Sequence, residues 1–355
     1  MTEILIKNGK VWDGKHFWFA DVLTKNGKVN RIAESIDEKA EFMYDARGKI
    51  VSAGLVDAHV HMRGISCDKF GVHPELSTIP FGVTAAADAG GGKGDKEMLE
   101  SFLLKNTVFV GVSFRENKAC FDHTEQLLEK YGDKAIGVKV YFDTLISDIK
   151  DIKPLCEAVE YAQSKKLKVM VHSSNSPVPM SDLLECLRKG DILTHSYHGG
   201  KNNVLEDGFL CIENAKKRGV FIDAGLAGHV HTDFKIFKEA ISNGALPDII
   251  STDITRLSAY VRGGRYGMTL CMSIAKHLGM CEEDILRAVT STPAKALGKE
   301  QEWGYLEVGR NADIVVLDHT NDGFDLTDKA GCRITCDKGY SCVLTIVNGE
   351  VVYKR

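Results

Sequence analysis

The stretch VSAGLVDAHVHMR, residues 51–63, decides how the rest of the chain is read. A short apolar strand, Gly54 to Ala58, runs into His59 and His61 with one residue between them. In an extended strand, residues i and i+2 point to one face, so the two imidazoles converge. Convergent imidazoles at a strand end begin a divalent metal site. The same spacing also arises by chance on surface strands, so the surrounding chain must decide.

Moving outward, the middle of the chain alternates. Strand-like runs fall at 55–59, 82–88, 107–113, 136–141, 168–172, 191–195, 219–223 and 247–253, with helical or loop segments between them. Ile152 to Lys165 places Leu155, Val159 and Ala162 on one stripe, and Met180 to Lys189 carries Leu183, Leu184 and Leu187. Eight strands spread over roughly 250 residues have the rhythm of an α/β fold of the (β/α)8 TIM-like barrel type. A doubly wound open sheet is the main rival, but no Gly-rich nucleotide fingerprint follows the first strand. Both ends of the chain read as short strands. Asn8-Gly9, Asp13-Gly14 and Asn348-Gly349 are hairpin signals, and Lys25-Asn26-Gly27-Lys28 is a further turn. A small β-sandwich domain assembled from both termini, residues 1–53 and 303–355, is therefore expected beside a barrel over 54–302.

Composition narrows the function classes. A formal net charge of −4 and the lack of a basic run give no footprint for nucleic acid. The opening MTEILIKNGK lacks the features of a signal peptide, and no window approaches eighteen uninterrupted apolar residues. The ten scattered cysteines read as reduced thiols of a cytoplasmic enzyme; Cys332, Cys336 and Cys342 are too loosely spaced for a zinc knuckle.

The chemistry of such barrels gathers at the C-terminal ends of the strands. Those ends carry His59 and His61, then His172, His195 and Asp253, with Lys139 inside the fourth strand. One strand-end histidine is readily a structural residue, but four with an acid are hard to produce by core packing. Lys139, in Ile136-Gly137-Val138-Lys139-Val140-Tyr141, points either outward to water or inward. Inward burial would lower its pKa, and the neutral amine can add carbon dioxide to become a carbamate.

Together these residues resemble the amidohydrolase superfamily of binuclear metal hydrolases. VSAGLVDAHVHM matches the family's first-strand pattern, and residues 304–316, GYLEVGRNADIVV, match its return to the small sheet domain. Ala53 departs from the proline common there. The resemblance implies two divalent metals, zinc suiting the imidazole-rich set best. His59 and His61 would hold the more buried ion, and His172 and His195 the other. A carboxylated Lys139 would bridge them, and Asp253 would bind the first metal and move protons for a metal-activated hydroxide. A homo-oligomer is implied as well.

Segments 190–195, 247–253 and the helix near Met268 resemble the deacetylase group related to dihydroorotases, which implies cleavage of an amide or ester acyl bond in a small, carboxylate-bearing substrate. His61-Met62-Arg63 instead matches the His-x-His-x-Arg of dihydroorotases, where the arginine holds a substrate carboxylate. Arg63 is either such a clamp or a loop arginine paired to an acid. His229 could reach the site or lie on a surface loop. Arg256, Tyr260, Arg262 and Arg265 are candidates for gripping an anionic substrate, or a solvated loop. A cyclic amide hydrolase is the alternative enzyme. A non-catalytic relative is a third reading, disfavoured because all six ligand positions are filled.

Overall fold

The computed structural model describes residues 2–62, 70–91, 94–261 and 266–355. The first five strands are β1 (Ile4–Trp12), β2 (Phe17–Lys25), β3 (Lys28–Ala33), β4 (Phe42–Asp45) and β5 (Ile50–Ala53). The middle contributes β6 (Leu55–Val60), β7 (Val83–Gly91), β8 (Lys105–Gly111), β9 (Ala135–Tyr141), β10 (Lys168–His172), β11 (Ile192–Thr194) and β12 (Phe221–Ile222). After the last helices come β13 (Ile314–Thr320), β14 (Phe324–Thr327), β15 (Arg333–Cys336), β16 (Gly339–Val347) and β17 (Glu350–Lys354).

Strands β6 to β12 form one seven-stranded parallel sheet in sequence order. Every residue of β6 is buried, as expected of a strand covered on both faces. Its helices sit where the apolar stripes put them. Lys153–Ser164 buries Leu155, Ala158, Val159 and Ala162. The second expected helix is shorter, Met180–Glu185. Beyond it Arg188 turns back to ion-pair with Asp191 at 2.9 Å and to donate to the Leu167 carbonyl at 3.0 Å, and this geometry ends the helix. The expected eighth strand is not a regular one. Segment 249–254 instead touches each edge of the sheet by a single parallel bridge, Asp223 to Ile249 and Val60 to Ile254.

The two chain ends meet in one continuous eight-stranded mixed sheet, ordered β17-β16-β13-β5-β1-β2-β3 with β4 beside β1. Asn26-Gly27 and Asn348-Gly349 turn hairpins with positive φ at both residues, the type I′ geometry. Asn8-Gly9 does not. There β1 continues, its register to β2 shifts by one residue, and the Asn8 N–H donates to Asp21 Oδ1 at 2.8 Å. A carboxylate from the neighbouring strand satisfies the N–H that a hairpin would have turned outward, so the pair makes a bulge. Asp13-Gly14 does begin the loop between β1 and β2. The sheet is tied to the helical layer by Trp12 Nε1 donating to Thr290 Oγ1 at 3.3 Å and by a 2.8 Å Lys10–Glu282 ion pair.

Candidate metal centre

The register of β6 against β7 shifts between Asp57 and Val60, adding one residue to β6. Such a bulge re-aims the side chains that follow it. Val56 before it and Ala58 within it pack with Phe109, Met170 and Ile192 in a small interior cluster. His59, also within it, reaches Lys139 on β9, which stands in register with Met170 of β10. The histidine pair therefore crowns the apolar floor of the sheet.

Among the described residues, two groups of ligand atoms lie at this end, each with all atoms within 4.8 Å of one another. The first is His59, His61 and Asp253. Asp253 Oδ1 stands 2.8 Å from His61 Nε2 and 3.2 Å from His59 Nε2, yet makes no aligned hydrogen bond. Three lone-pair atoms thus converge on a shared point. Burial alone would raise the Asp253 pKa, but the His59 and His61 imidazoles hold it well below the carboxylate range. His59 Nδ1 is 3.0 Å from Thr194 Oγ1.

The second group is His172, His195 and His231. His195 donates through Nδ1 to the Gly225 carbonyl at 2.6 Å. Its Nε2 then carries a lone pair, is buried, and has no hydrogen-bond partner. His172 Nε2 lies 3.1 Å from Asp143 Oδ2. Burial would raise Asp143, but hydrogen bonds from His172, Asn175 and the Leu145 N–H bring it to about 2. That carboxylate orients His172 and leaves its Nδ1 for a ligand. His231 Nδ1 meets Ser174 Oγ at 2.9 Å. His195 and Asp253 both adopt positive φ, 62° and 46°, so the chain turns sharply where each side chain enters the site.

Lys139 is fully buried, and its Nζ is 3.0 Å from His59 Nε2. Burial pushes its pKa down to about 7. Below the histidines, Asp57 accepts from the Thr252 N–H and hydroxyl at 3.1 and 2.6 Å, and Asp223 accepts from Ser251 Oγ at 2.7 Å. Burial raises these carboxyls to about 7 and about 6 respectively. The donor set, with orphaned lone pairs on His195 and Asp253, fits divalent metal ions of the imidazole-preferring kind.

The six residues expected as ligands all stand at this end of the sheet, and His231 joins them. Sequence reasoning singled out His229, whose side chain is not among the described residues; it lies in a 3₁₀ turn, Ala227–His229. The available signal was His229-Val230-His231 itself, a second copy of the His59-Val60-His61 spacing. Arg63, Arg262 and Arg265 also lie outside the described residues. Arg256 and Tyr260 are exposed on the turn after Asp253, where Tyr260 Oη pairs with Ser77 Oγ at 3.0 Å.

A model of the amidohydrolase family matches residues 50–352. A deacetylase of Enterococcus faecalis is 26% identical, with 98% of each chain covered. A deacetylase of Agrobacterium fabrum is 27% identical, covering 86% of this chain and 80% of its own. A dihydroorotase of Lactobacillus gasseri is 25% identical over 99% of both. Among solved structures, a dihydroorotase superposes with a TM-score of 0.85 at 23% identity, covering 100% of this chain and 98% of the other. An adenine deaminase gives the same score and identity over 100% of both. At that identity these structures speak for the fold alone.

Proposed function

The chain belongs to the amidohydrolase family, and from that premise we propose that it is a metal-dependent hydrolase cleaving the acyl bond of a small, carboxylate-bearing amide or ester. The observation that carries this reading is the pair of three-residue ligand groups flanking buried Lys139. The deacetylase names of two relatives favour an acyclic acyl substrate; the dihydroorotase names keep a cyclic amide as the alternative. The proposed architecture is an eight-membered barrel over 54–302, closed through segment 249–254. A small β-sandwich from 1–53 and 303–355 completes it.

His59, His61 and Asp253 would hold one ion, and His172 and His195 the other, with His231 beside it. Lys139, neutral near pH 7, is proposed to carry carbon dioxide as a carbamate between the two groups. Bound divalent metal, with zinc suiting the imidazole-rich set best, would supply a water of lowered pKa and a Lewis acid for the acyl oxygen. Asp253 is the proton carrier. It is anionic at neutral pH, and its Oδ2, 3.8 Å from His195 Nε2, takes the proton and returns it to the leaving nitrogen or oxygen. Arg63, His229, Arg256 and Tyr260 are proposed to meet the substrate at the mouth.

The test is metal content per chain combined with a panel of N-acetyl amino acids, O-acetyl hydroxy acids, dihydroorotate and hydantoins. About two metals per chain with acyclic cleavage is the expected result. Ring opening alone moves the chain to the alternative. Full metal loading without turnover of any panel member counts against the hydrolase reading.

A further inference from the structure

Beside the second ligand group lies a cavity of about 320 Å³, lined by Ser174, His198, His231, Thr232, Asp233 and Lys329 among others. Two of its side chains are almost wholly buried, and each has a polar atom without a partner. His198 is 2% exposed, and its Nδ1 accepts the Gly200 N–H at 3.1 Å. The neutral ring therefore carries its proton on Nε2, and that N–H has no acceptor. Thr232, also 2% exposed, has an unpartnered hydroxyl. A buried donor without an acceptor is costly, and two lining one cavity mark a place for a ligand that accepts.

The third component comes from the far end of the chain. Lys329 sits in the turn between β14 and β15. That turn is fixed by Asp328, whose Oδ1 accepts the Cys332 N–H at 2.8 Å and whose Oδ2 accepts the Phe234 N–H at 2.8 Å. The second bond attaches the turn to the start of helix Phe234–Ser242 and holds Lys329 at the cavity rim. Asp233, the acid in the lining, has its Oδ1 engaged in capping that helix through the Lys235 and Ile236 N–H groups. Close approach is built in: a Cβ on Gly200 would lie 2.2 Å from the Ser174 carbonyl.

We infer that this cavity is the subsite for the substrate's carboxylate, with Lys329 supplying the charge and His198 Nε2–H and the Thr232 hydroxyl supplying two hydrogen bonds. The inference rests on the hydrolase reading above and adds to it where the acid end of the substrate goes. With the acid in this cavity, the acyl group falls on the side of His231, which lines the cavity and groups with His172 and His195.

The test compares N-acetylalanine, as both enantiomers, with N-acetylalaninamide on metal-replete protein. Affinity is read by calorimetry, and kcat and KM where there is turnover. The wild type should prefer the acid by about tenfold or more, the worth of a charge-assisted contact. Lys329→Gln should collapse that ratio through KM or Kd, Lys329→Arg should restore most of it, and Thr232→Val should reduce it severalfold. An unchanged ratio in Lys329→Gln overturns the inference. So does loss of the preference in Arg63→Gln but not in Lys329→Gln. If nothing in the panel is turned over, the hydrolase reading fails, yet the calorimetric ratio still supports or refutes the subsite.

Discussion

The Nζ atom of Lys139 lies 3.0 Å from Nε2 of His59, in a fully buried pair whose members would both tend toward cations in water. Burial drives the lysine to about 7 and the histidine well below its ordinary value, so both can be neutral together. A neutral lysine is the form that adds carbon dioxide, and a neutral histidine is the form that ligates. Lys139→Ala should therefore lose metal and activity together, with turnover falling at least about a hundredfold. Added propionate should restore part of both, since a carboxylate can enter the vacated space. Metal analysis and rate, with and without propionate, check this. Full metal content in the variant would remove the bridging role.

Glu282 joins the sheet to the helical layer. It is 17% exposed and pairs with Lys10 at 2.8 Å, His319 at 3.3 Å and Lys276 at 3.5 Å. The His319 contact first, then the two lysines against the opposing effect of burial, lower its pKa from 4.5 to about 2. The folded value is depressed, so the stabilisation is fully present above pH 4.5 and is lost as pH falls through that value toward 2. After screening by the nearby solvent, Glu282→Gln should cost about 1 kcal/mol at pH 7. The gap to wild type should shrink at pH 3.5, as read by urea unfolding at both values. A gap that held constant would show that charge is not the cause.

The parallel strands and the residues at their ends were readable because a buried parallel strand is an almost continuous apolar run, and its polar interruptions stand out. Val51 to Arg63 and Ile136 to Tyr141 both have that form. Other features depended on partners distant in sequence. Asn8-Gly9 looks like any hairpin until Asp21 is known to face its N–H. The aim of His59 and His61 depends on a bulge against β7, which no period-two rule contains. His231 follows a 3₁₀ turn, where alternate residues do not share a face, so its spacing carried no directional meaning. Lys329 is almost a hundred residues from Phe234 in sequence, and the Asp328 contact with the Phe234 N–H links that turn to the site.

Gly137 tests how closely the floor supports the centre. It lies two residues before Lys139 on β9, and a Cβ there would sit 2.5 Å from the Phe109 ring and 2.6 Å from the Lys168 carbonyl. The ring belongs to the interior cluster, and the carbonyl belongs to the adjoining strand, so neither can swing aside like the end of a flexible chain. Gly137→Ala must push β9 away from β8 or β10, at a cost of about 1–3 kcal/mol for overpacking. Because β9 carries Lys139, the same displacement should loosen the centre, lowering metal occupancy as well as the melting temperature. Coupled Phe109→Leu should recover much of both by vacating the ring's volume. If Gly137→Ala lowered the melting temperature while metal content stayed at the wild-type level, Lys139 would be held by its own contacts rather than by the register of its strand.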